Sequence, residues 1–411
     1  MPIGKILLYI VTYFGLFTST LFFITLLERR SEIKSPKPRR LPSVSLVVPA
    51  YNEEKTISRT LRSLLELDYP KSKLEIMVVD DGSTDRTYSI AKRFEKRGIK
   101  VLTKPNTGKG NSLNHALKKA KGELFAALDA DSFASPDCLR KMVAYFGNPK
   151  VMAVTPSLKV YHPKGFLQRI QSVEYLVGIY LRKVFGMMGS IHVTPGPLTI
   201  YRKEFFDKYG PYDGDNITED IEIALRIQSK RYIVENAADA SVYTVGPDTF
   251  NSLMRQRRRW YLGFINNVQR YKNLFHPSYG NLGIFILPGS FFSVLLAIMV
   301  CSYALIRSFT NLGKEISNLF AINFDILPLI DLNVDLFTLN FGPLAILSVI
   351  SIMVGVTIIC LAKMISEEKS KIKLSYIIYL IAYWFIFAYW WIIAGFYKLT
   401  GKSIGWGSKT T

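Results

Sequence analysis

Cysteine and histidine are nearly missing. The 411 residues include 3 Cys, at Cys138, Cys301 and Cys360. Two of them lie in apolar runs and none forms a C-x-x-C pair, so no disulfide framework is indicated. The 4 His show no H-x-x-x-H spacing, which argues against a zinc site. Acids are also short: 32 Asp and Glu face 52 Lys and Arg, a net charge of +20. Such an excess suits nucleic acid or the anionic headgroups beside a membrane domain. No nucleic-acid reader motif occurs and the basic residues flank apolar runs, so the membrane is the better partner. Repeats and low-complexity tracts are absent. Gly108-Lys109 lacks the G-x-x-x-x-G-K-[ST] spacing of a phosphate-binding P-loop.

Hydrophobic residues make up 49% of the chain and collect at its two ends. Residues 3–27 are apolar apart from Lys5, longer than the ~20 residues that span a bilayer. This run has no small-residue cleavage site and reads as an anchor rather than a signal peptide. Arg29, Arg30, Lys34, Lys37, Arg39 and Arg40 follow, interrupted by Pro36, Pro38 and Pro42. That basic linker places the next domain in the cytoplasm. Further candidate spans are 283–306, 342–362 and 375–397. The connector 310–340 carries Asp325, Asp331 and Asp335 and reads as external. Both 363–373 and the lysine-bearing tail read as cytoplasmic, which conflicts with a single crossing by 375–397. The expected units are an anchor (1–28), a linker (29–42), a catalytic domain (43–246), an interfacial helix region (247–280) and a C-terminal membrane region with a short tail (281–411).

The centre alternates strand and helix. Strands are expected at 44–49, 74–79, 99–103, 124–128 and 151–160, and helices at 56–67, up to 94, 112–119, 165–188, 221–228 and 252–269. Short connections between them imply a parallel α/β sheet, whose function belongs at the carboxyl ends of the strands. Tyr51, Glu53, Asp81, Asp129 and Asp131 all fall at that edge. Asp129 and Asp131 follow an apolar strand, and residues i and i+2 of a strand share a side. So placed, they can share a hard divalent cation that keeps positions open for phosphates; an Asx turn closing the strand is the plainer reading of the same residues.

A diphosphate-activated sugar at this edge would use each of these groups. Asp131, helped by Asp129, would hold the metal that neutralises the departing diphosphate. Asp81 could accept hydrogen bonds from a base or ribose. Asp220, at a helix start beside a Gly/Pro loop, is the candidate general base, its pKa held down by the metal and the helix dipole. Thr218 is the candidate N-cap of that helix. Arg259 could pair with the diphosphate, and Trp260 offers a face for sugar stacking.

The motifs VVPAYNEE (47–54), VVDDGSTD (78–85), GKGNSLNHAL (108–117), LDADS (128–132), QSVEY (171–175), TPGPLTIYR (194–202), ITEDIEIALRI (217–227) and QRRRW (256–260) follow in that order. With the flanking apolar runs, the chain resembles the membrane-embedded, inverting family 2 glycosyltransferases, the group of hyaluronan, chitin, cellulose and poly-N-acetylglucosamine synthases. The resemblance implies a GT-A fold, Rossmann-like, inserted between N-terminal and C-terminal transmembrane helices and using a UDP-sugar with Mg2+ or Mn2+. It implies that Pro49, Tyr51, Glu53 and Asp81 hold the nucleotide with Lys109 nearby, and that Asp129 and Asp131 form the D-x-D pair. It further implies Asp220 as the catalytic base, and Glu219, Gln256, Arg259 and Trp260 lining the diphosphate site and acceptor entrance. Trp406-Gly407-Ser408-Lys409 is similar to a W-G-T-R gating motif, with two of four positions different.

The expected activity is processive transfer of a hexose, N-acetylglucosamine or glucose, to a growing glycan that passes through the plasma membrane. Single transfer to a polyprenyl phosphate or other lipid is the alternative, and nucleic acid is not an expected partner.

Overall fold

The computed structural model describes residues 3–321, 342–371 and 373–401. Residues 322–340 of the connector, with Asp325, Asp331 and Asp335, and the Trp406–Lys409 motif lie outside the described residues, whereas 310–321 are helical. Helix α1 (Ile3–Glu28) leads into β1 (Val44–Ala50), α2 (Ile57–Leu65), β2 (Leu74–Asp80), α3 (Thr87–Lys92), β3 (Lys100–Thr103), α4 (Lys109–Leu117) and β4 (Leu124–Ala127). Then come β5 (Ser132–Ala134), α5 (Cys138–Val143), β6 (Val151–Val160), α6 (Phe166–Met187), β7 (Thr199–Arg202), α7 (Lys203–Tyr209), α8 (Glu219–Ser229) and β8 (Ile233–Thr244). The chain continues with α9 (Phe250–Arg270), α10 (Leu287–Ala321), α11 (Pro343–Ile365) and α12 (Leu374–Leu399).

Eight strands form one sheet in the order β3-β2-β1-β4-β7-β6-β8-β5. β1, β2, β3 and β4 are mutually parallel, as expected, while β7 runs antiparallel between β4 and β6. The sheet is therefore mixed. Alternate residues of β1 feed opposite layers: Val44, Leu46 and Val48 pack with Ile57, Leu61 and Leu64 of α2, whereas Val47 packs with Leu113 and Phe125.

The β1–β4 pairing stops at Val47 and Ala127, while β1 continues along β2 to Ala50 and Asp80. Beyond Val47 the two central strands part, which opens the carboxyl edge. Pro49 falls in this stretch, where a missing backbone N–H costs no ladder bond on the β4 side.

Four helices are long and apolar enough to cross a membrane: Ile3–Glu28, Leu282–Lys314, Pro343–Ile365 and Leu374–Leu399. α1 runs antiparallel to the second apolar segment: Phe14 meets Phe292 of α10 and Phe17 meets Phe285 just before it. At the domain end Leu26 of α1 packs with Ile359, Ala362 and Ile365 of α11 and with Leu176 and Ile179 of α6.

Candidate active site

The two turns that end β1 and β2 are bolted together. Asn52, at φ +55°, donates its N–H to Ser83 Oγ at 3.0 Å and accepts the Thr84 N–H at 2.8 Å. The Glu53 N–H donates to Thr87 Oγ1 at 2.6 Å. Tyr51 is 39% exposed at the rim, while Pro49 is buried within β1. Asp81 is at the strand end as expected, but its oxygens are taken up by the segment entering α4. Oδ1 accepts from Lys104 Nζ and, at 3.1 Å, from the Thr107 N–H; Oδ2 accepts from the Gly108 N–H at 2.9 Å.

Lys109 opens α4, three residues before the expected start of that helix. Its ammonium lies 2.6 Å from Asp129 Oδ1 and 3.1 Å from Glu219 Oε1. Burial opposes its charge, but the carboxylates of Asp129, Glu219 and Asp220 outweigh that and push its pKa up. Glu219, expected with the acceptor and diphosphate set, is 3% exposed and turned to this lysine.

Asp129 and Asp131 are not in the strand. β4 ends at Ala127, and both lie in the turn into β5, which is closed by the Ser132 N–H donating to the Asp129 carbonyl at 3.0 Å. The turn, rather than strand alternation, brings them together. Asp131 accepts from the hydroxyls of Ser132 at 3.0 Å and Thr244 at 3.4 Å. Burial, then the charges of Asp129 and Glu53, raise its carboxyl to about 7. Glu53 is likewise raised by burial and by Asp129 and Asp85, against a hydrogen bond from Thr56. The pair offers oxygen donors only. Among the described residues no group of three or more His, Cys, Asp or Glu forms a closed metal cage. An under-neutralised carboxylate pair without nitrogen or sulfur donors fits a hard divalent cation that keeps positions for other oxygens.

The loop before β7 supports the next carboxylate. Thr194 Oγ1 donates to the Asp220 carbonyl at 2.6 Å. A Cβ at Gly196 would lie 2.6 Å from Lys109 Nζ and 2.9 Å from Asp129 Oδ2, so a side chain there would push the ion pair aside. Asp220 is in the first turn of α8. The helix start was expected to lower its pKa; instead burial and then Glu219 raise it to about 6, with Lys109 and Arg259 opposing. Thr218 does not cap α8 with its side chain. Its hydroxyl accepts from Asn267 Nδ2 at 2.9 Å, and a Cβ at Gly263 would overlap it. Thus α9 clamps the start of α8.

α9 carries the QRRRW stretch. Arg259 donates to the Ile217 carbonyl at 3.0 Å, just before Asp220. Trp260 is half-buried against the core, with the Arg257 guanidinium 4.3 Å from its ring centre. Arg257 is buried, pairs with Glu174 of α6 at 2.8 Å and lies 5.5 Å from the Trp390 ring of α12. Gln256 keeps an enclosed, unpartnered Oε1.

The structure thus joins Glu53, Lys109, Asp129, Asp131, Glu219, Asp220 and Arg259 into one electrostatic cluster. Thr194, Thr244 and Asn267 support it, and Lys104 and Thr107 hold Asp81; none of these five was anticipated. They hold their partners across long sequence separations, 113 residues for Thr244 and Asp131, for which a single sequence carries no signal.

Residues 45–210 match the family described as Glycosyl transferase family 2. The chain is 32% identical over 239 residues to a protein of Staphylococcus epidermidis named poly-beta-1,6-N-acetyl-D-glucosamine synthase, covering 57% of each chain. It is 31% identical over 252 residues to the protein of that name in Staphylococcus aureus, covering 60% of each. The chain therefore spans somewhat over half the length of these curated relatives. In architecture it is similar to a mannosyltransferase of Pyrobaculum calidifontis solved with GDP-Man and Mn2+, with a TM-score of 0.59 and 19% identity over 96% of this chain and 100% of that one. Residues 45–210 accordingly match the Glycosyl transferase family 2 model and have a GT-A fold, set between helices long and apolar enough to cross a membrane.

Proposed function

We propose that the protein is an inverting, metal-dependent glycosyltransferase. It moves a hexose, N-acetylglucosamine or glucose, from a UDP-sugar to a growing glycan in successive rounds. Its domain faces the cytoplasm beneath the plasma membrane, and the apolar helices carry the product. The observation that bears most weight is the Lys109 ammonium shared by Asp129 and Glu219. It joins the D-x-D turn to the helix start that holds Asp220. The names of the staphylococcal relatives support an N-acetylglucosamine polymer.

The residues divide the work. Asp220 takes the proton of the attacking hydroxyl, which a carboxylate with a pKa of about 6 does well near neutral pH. Lys109 limits the repulsion between that carboxylate and Asp129. Tyr51, Glu53 and Asp81 border the nucleotide, Arg259 meets diphosphate oxygens, and Gln256 and Trp260 border the acceptor. Asp131 and Asp129 would hold Mg2+ or Mn2+, which when bound adds positive charge to the leaving diphosphate. The Mn2+ of the Pyrobaculum enzyme supports that choice.

The second reading is a single transfer to a polyprenyl phosphate or other lipid. The Nε of Arg182, enclosed without a hydrogen-bond partner, favours it as a donor for an anionic acceptor.

The test is nucleotide release by the detergent-purified chain with Mg2+ or Mn2+, across UDP-sugars and GDP-mannose, with products sized on a gel. Metal-dependent release from one or two UDP-sugars with a long product is expected. A single-sugar product would overturn processivity, and release from GDP-mannose alone would overturn the UDP-sugar.

A further inference from the structure

The edge of the sheet opposite the active site gathers charge of its own. The linker leaving α1 carries Lys34, Lys37, Arg39 and Arg40 among three prolines. It is held at Ser35, whose N–H and hydroxyl donate to the two carboxylate oxygens of Asp239 at 3.2 and 2.5 Å. Lys141 of α5 donates to the Asp239 carbonyl at 2.8 Å, so the linker passes α5 on its way to β1. Beyond that point Arg39 and Arg40 line a cavity of about 60 Å³ together with Glu123, Phe146 and Arg202. Glu123 precedes β4 and Arg202 ends β7, where Leu124 pairs with Arg202. Asp129 and Asp131 follow the other end of that strand pair, at Ala127 and Thr199. Roughly 10 Å of strand separates the two edges.

The lining is unbalanced, with three arginines and one carboxylate. Glu123 is already engaged: it pairs with Arg40 at 2.5 Å and accepts the Ser43 N–H at 3.3 Å. The hydrogen bond from Arg40 holds its carboxyl below the usual range. Arg202 uses Nε on the Val151 carbonyl at 3.1 Å and Nη2 on the Phe146 and Asn148 carbonyls at 2.7 and 3.2 Å. Those bonds also take up carbonyls just past α5 that would repel an anion. Its Nη1 makes no hydrogen bond among the described residues, and Arg39 has no ion-pair partner there. Burial lowers the pKa of Arg202, and the charge of Arg40 lowers it further against Glu204 and Glu123.

Three guanidinium charges against one carboxylate leave two positive charges at the cavity, which match a phosphate dianion. A single water needs only ~10–15 Å³, so the space admits a larger polar group. Guanidinium presents parallel N–H donors that fit two phosphate oxygens at once. We propose that this cavity binds a phosphate group, carried by a soluble ester or by a lipid headgroup, on Arg39, Arg40 and Arg202. Both sources reach it. Arg39 is four residues beyond Ser35, at most ~14 Å of chain, and Lys34 lies 3.9 Å from Glu367 in the turn between α11 and α12. A phosphate held there ties the linker from α1 to β4 and β7 without touching the catalytic carboxylates. The site stands apart from the glycosyltransferase reading and does not rest on it.

The test is isothermal titration calorimetry of the detergent-purified full chain in EDTA, without nucleotide. The probes are glycerol 3-phosphate, dioctanoyl phosphatidic acid and the uncharged dioctanoylglycerol. Phosphatidic acid should bind at least tenfold more tightly than dioctanoylglycerol. Arg39→Gln should weaken phosphate binding at least tenfold, and Arg39→Lys should keep it to within fivefold. Glu123→Gln removes the one negative charge of the lining and should tighten binding at least threefold, a gain that unfolding cannot mimic. Asp131→Asn, at the opposite edge, should leave the affinity within twofold. Phosphatidic acid binding tenfold more tightly than glycerol 3-phosphate assigns the site to a lipid headgroup; equal binding assigns it to a soluble phosphate ester. Equal binding of phosphatidic acid and dioctanoylglycerol without any binding of glycerol 3-phosphate would overturn the proposal. So would an affinity unchanged in both Arg39→Gln and Glu123→Gln, or one lost in Asp131→Asn, which would put the phosphate at the catalytic edge.

Discussion

Asp220 is where protonation and chemistry meet. Its carboxyl titrates at about 6 against an ordinary 3.8. It is a working base above that value and protonated below it. The rate under limiting donor should thus fall on the acid side with a midpoint near pH 6, and a midpoint near 4 would remove Asp220 from the role. Asp220→Asn should lower transfer by about 10³-fold or more while nucleotide still binds; near-normal transfer would point to another base. The raised pKa also has a sign for stability. The folded state prefers the protonated carboxyl, so Asp220 costs stability as pH rises from about 4 through 6. Lys109 offsets part of that cost. Lys109→Met leaves Asp129 and Glu219 facing each other without a cation, so it should destabilise by about 3–5 kcal/mol, read as a fall in melting temperature that Lys109→Arg largely avoids. The sequence exposed the acidic residues themselves, because carboxylates after apolar strands have few other uses. It did not expose the charge balance, because Glu219 and Lys109 are 110 positions apart and meet only through the fold.

Among the elements, α4 and α8 both begin earlier than apolar periodicity suggests, at Lys109 and Glu219. The reason is shared. Their first residues are polar and buried against each other, and periodicity reads such residues as loop. Thr218 looked like a cap for α8 because its type and position suit one, but tertiary contact won: Asn267 and the bare face of Gly263 take its side chain. A methyl at position 263 would drive α9 and α8 apart at the turn bearing Asp220. Gly263→Ala should therefore lower kcat about tenfold or more with little change in the donor KM. Thr218→Ser, which removes only a methyl, should return part of the loss in the double variant. Full additivity of the two changes would show that the contact does not position α8.

Over the whole molecule, apolar length and charge bias give conflicting accounts of α12, and its packing bears on both. At about 1.5 Å per residue its 26 residues are long enough to cross a bilayer. Yet both ends rest on the catalytic half. Just before it, Ser366 accepts from Lys159 Nζ at 2.8 Å and Glu368 pairs with Lys159 at 3.3 Å. At its far end Lys398 Nζ donates to Asn266 Oδ1 at 2.8 Å, and Arg258 donates to the Tyr397 hydroxyl at 2.7 Å. Between them Trp391 stacks on Tyr261 at 4.6 Å. α12 therefore runs alongside α9, and its apolar surface serves that packing as well as lipid. The basic residues at 363–373 and Lys398 speak to the side of the membrane, whereas hydropathy reports only that a segment is apolar. In a cysteine-free background, Lys373→Cys and Thr400→Cys should both react with a membrane-impermeant maleimide from the face that holds the catalytic domain. Labelling of Thr400→Cys from the opposite face alone would mean that α12 crosses the bilayer and that its contacts with α9 do not form in the membrane.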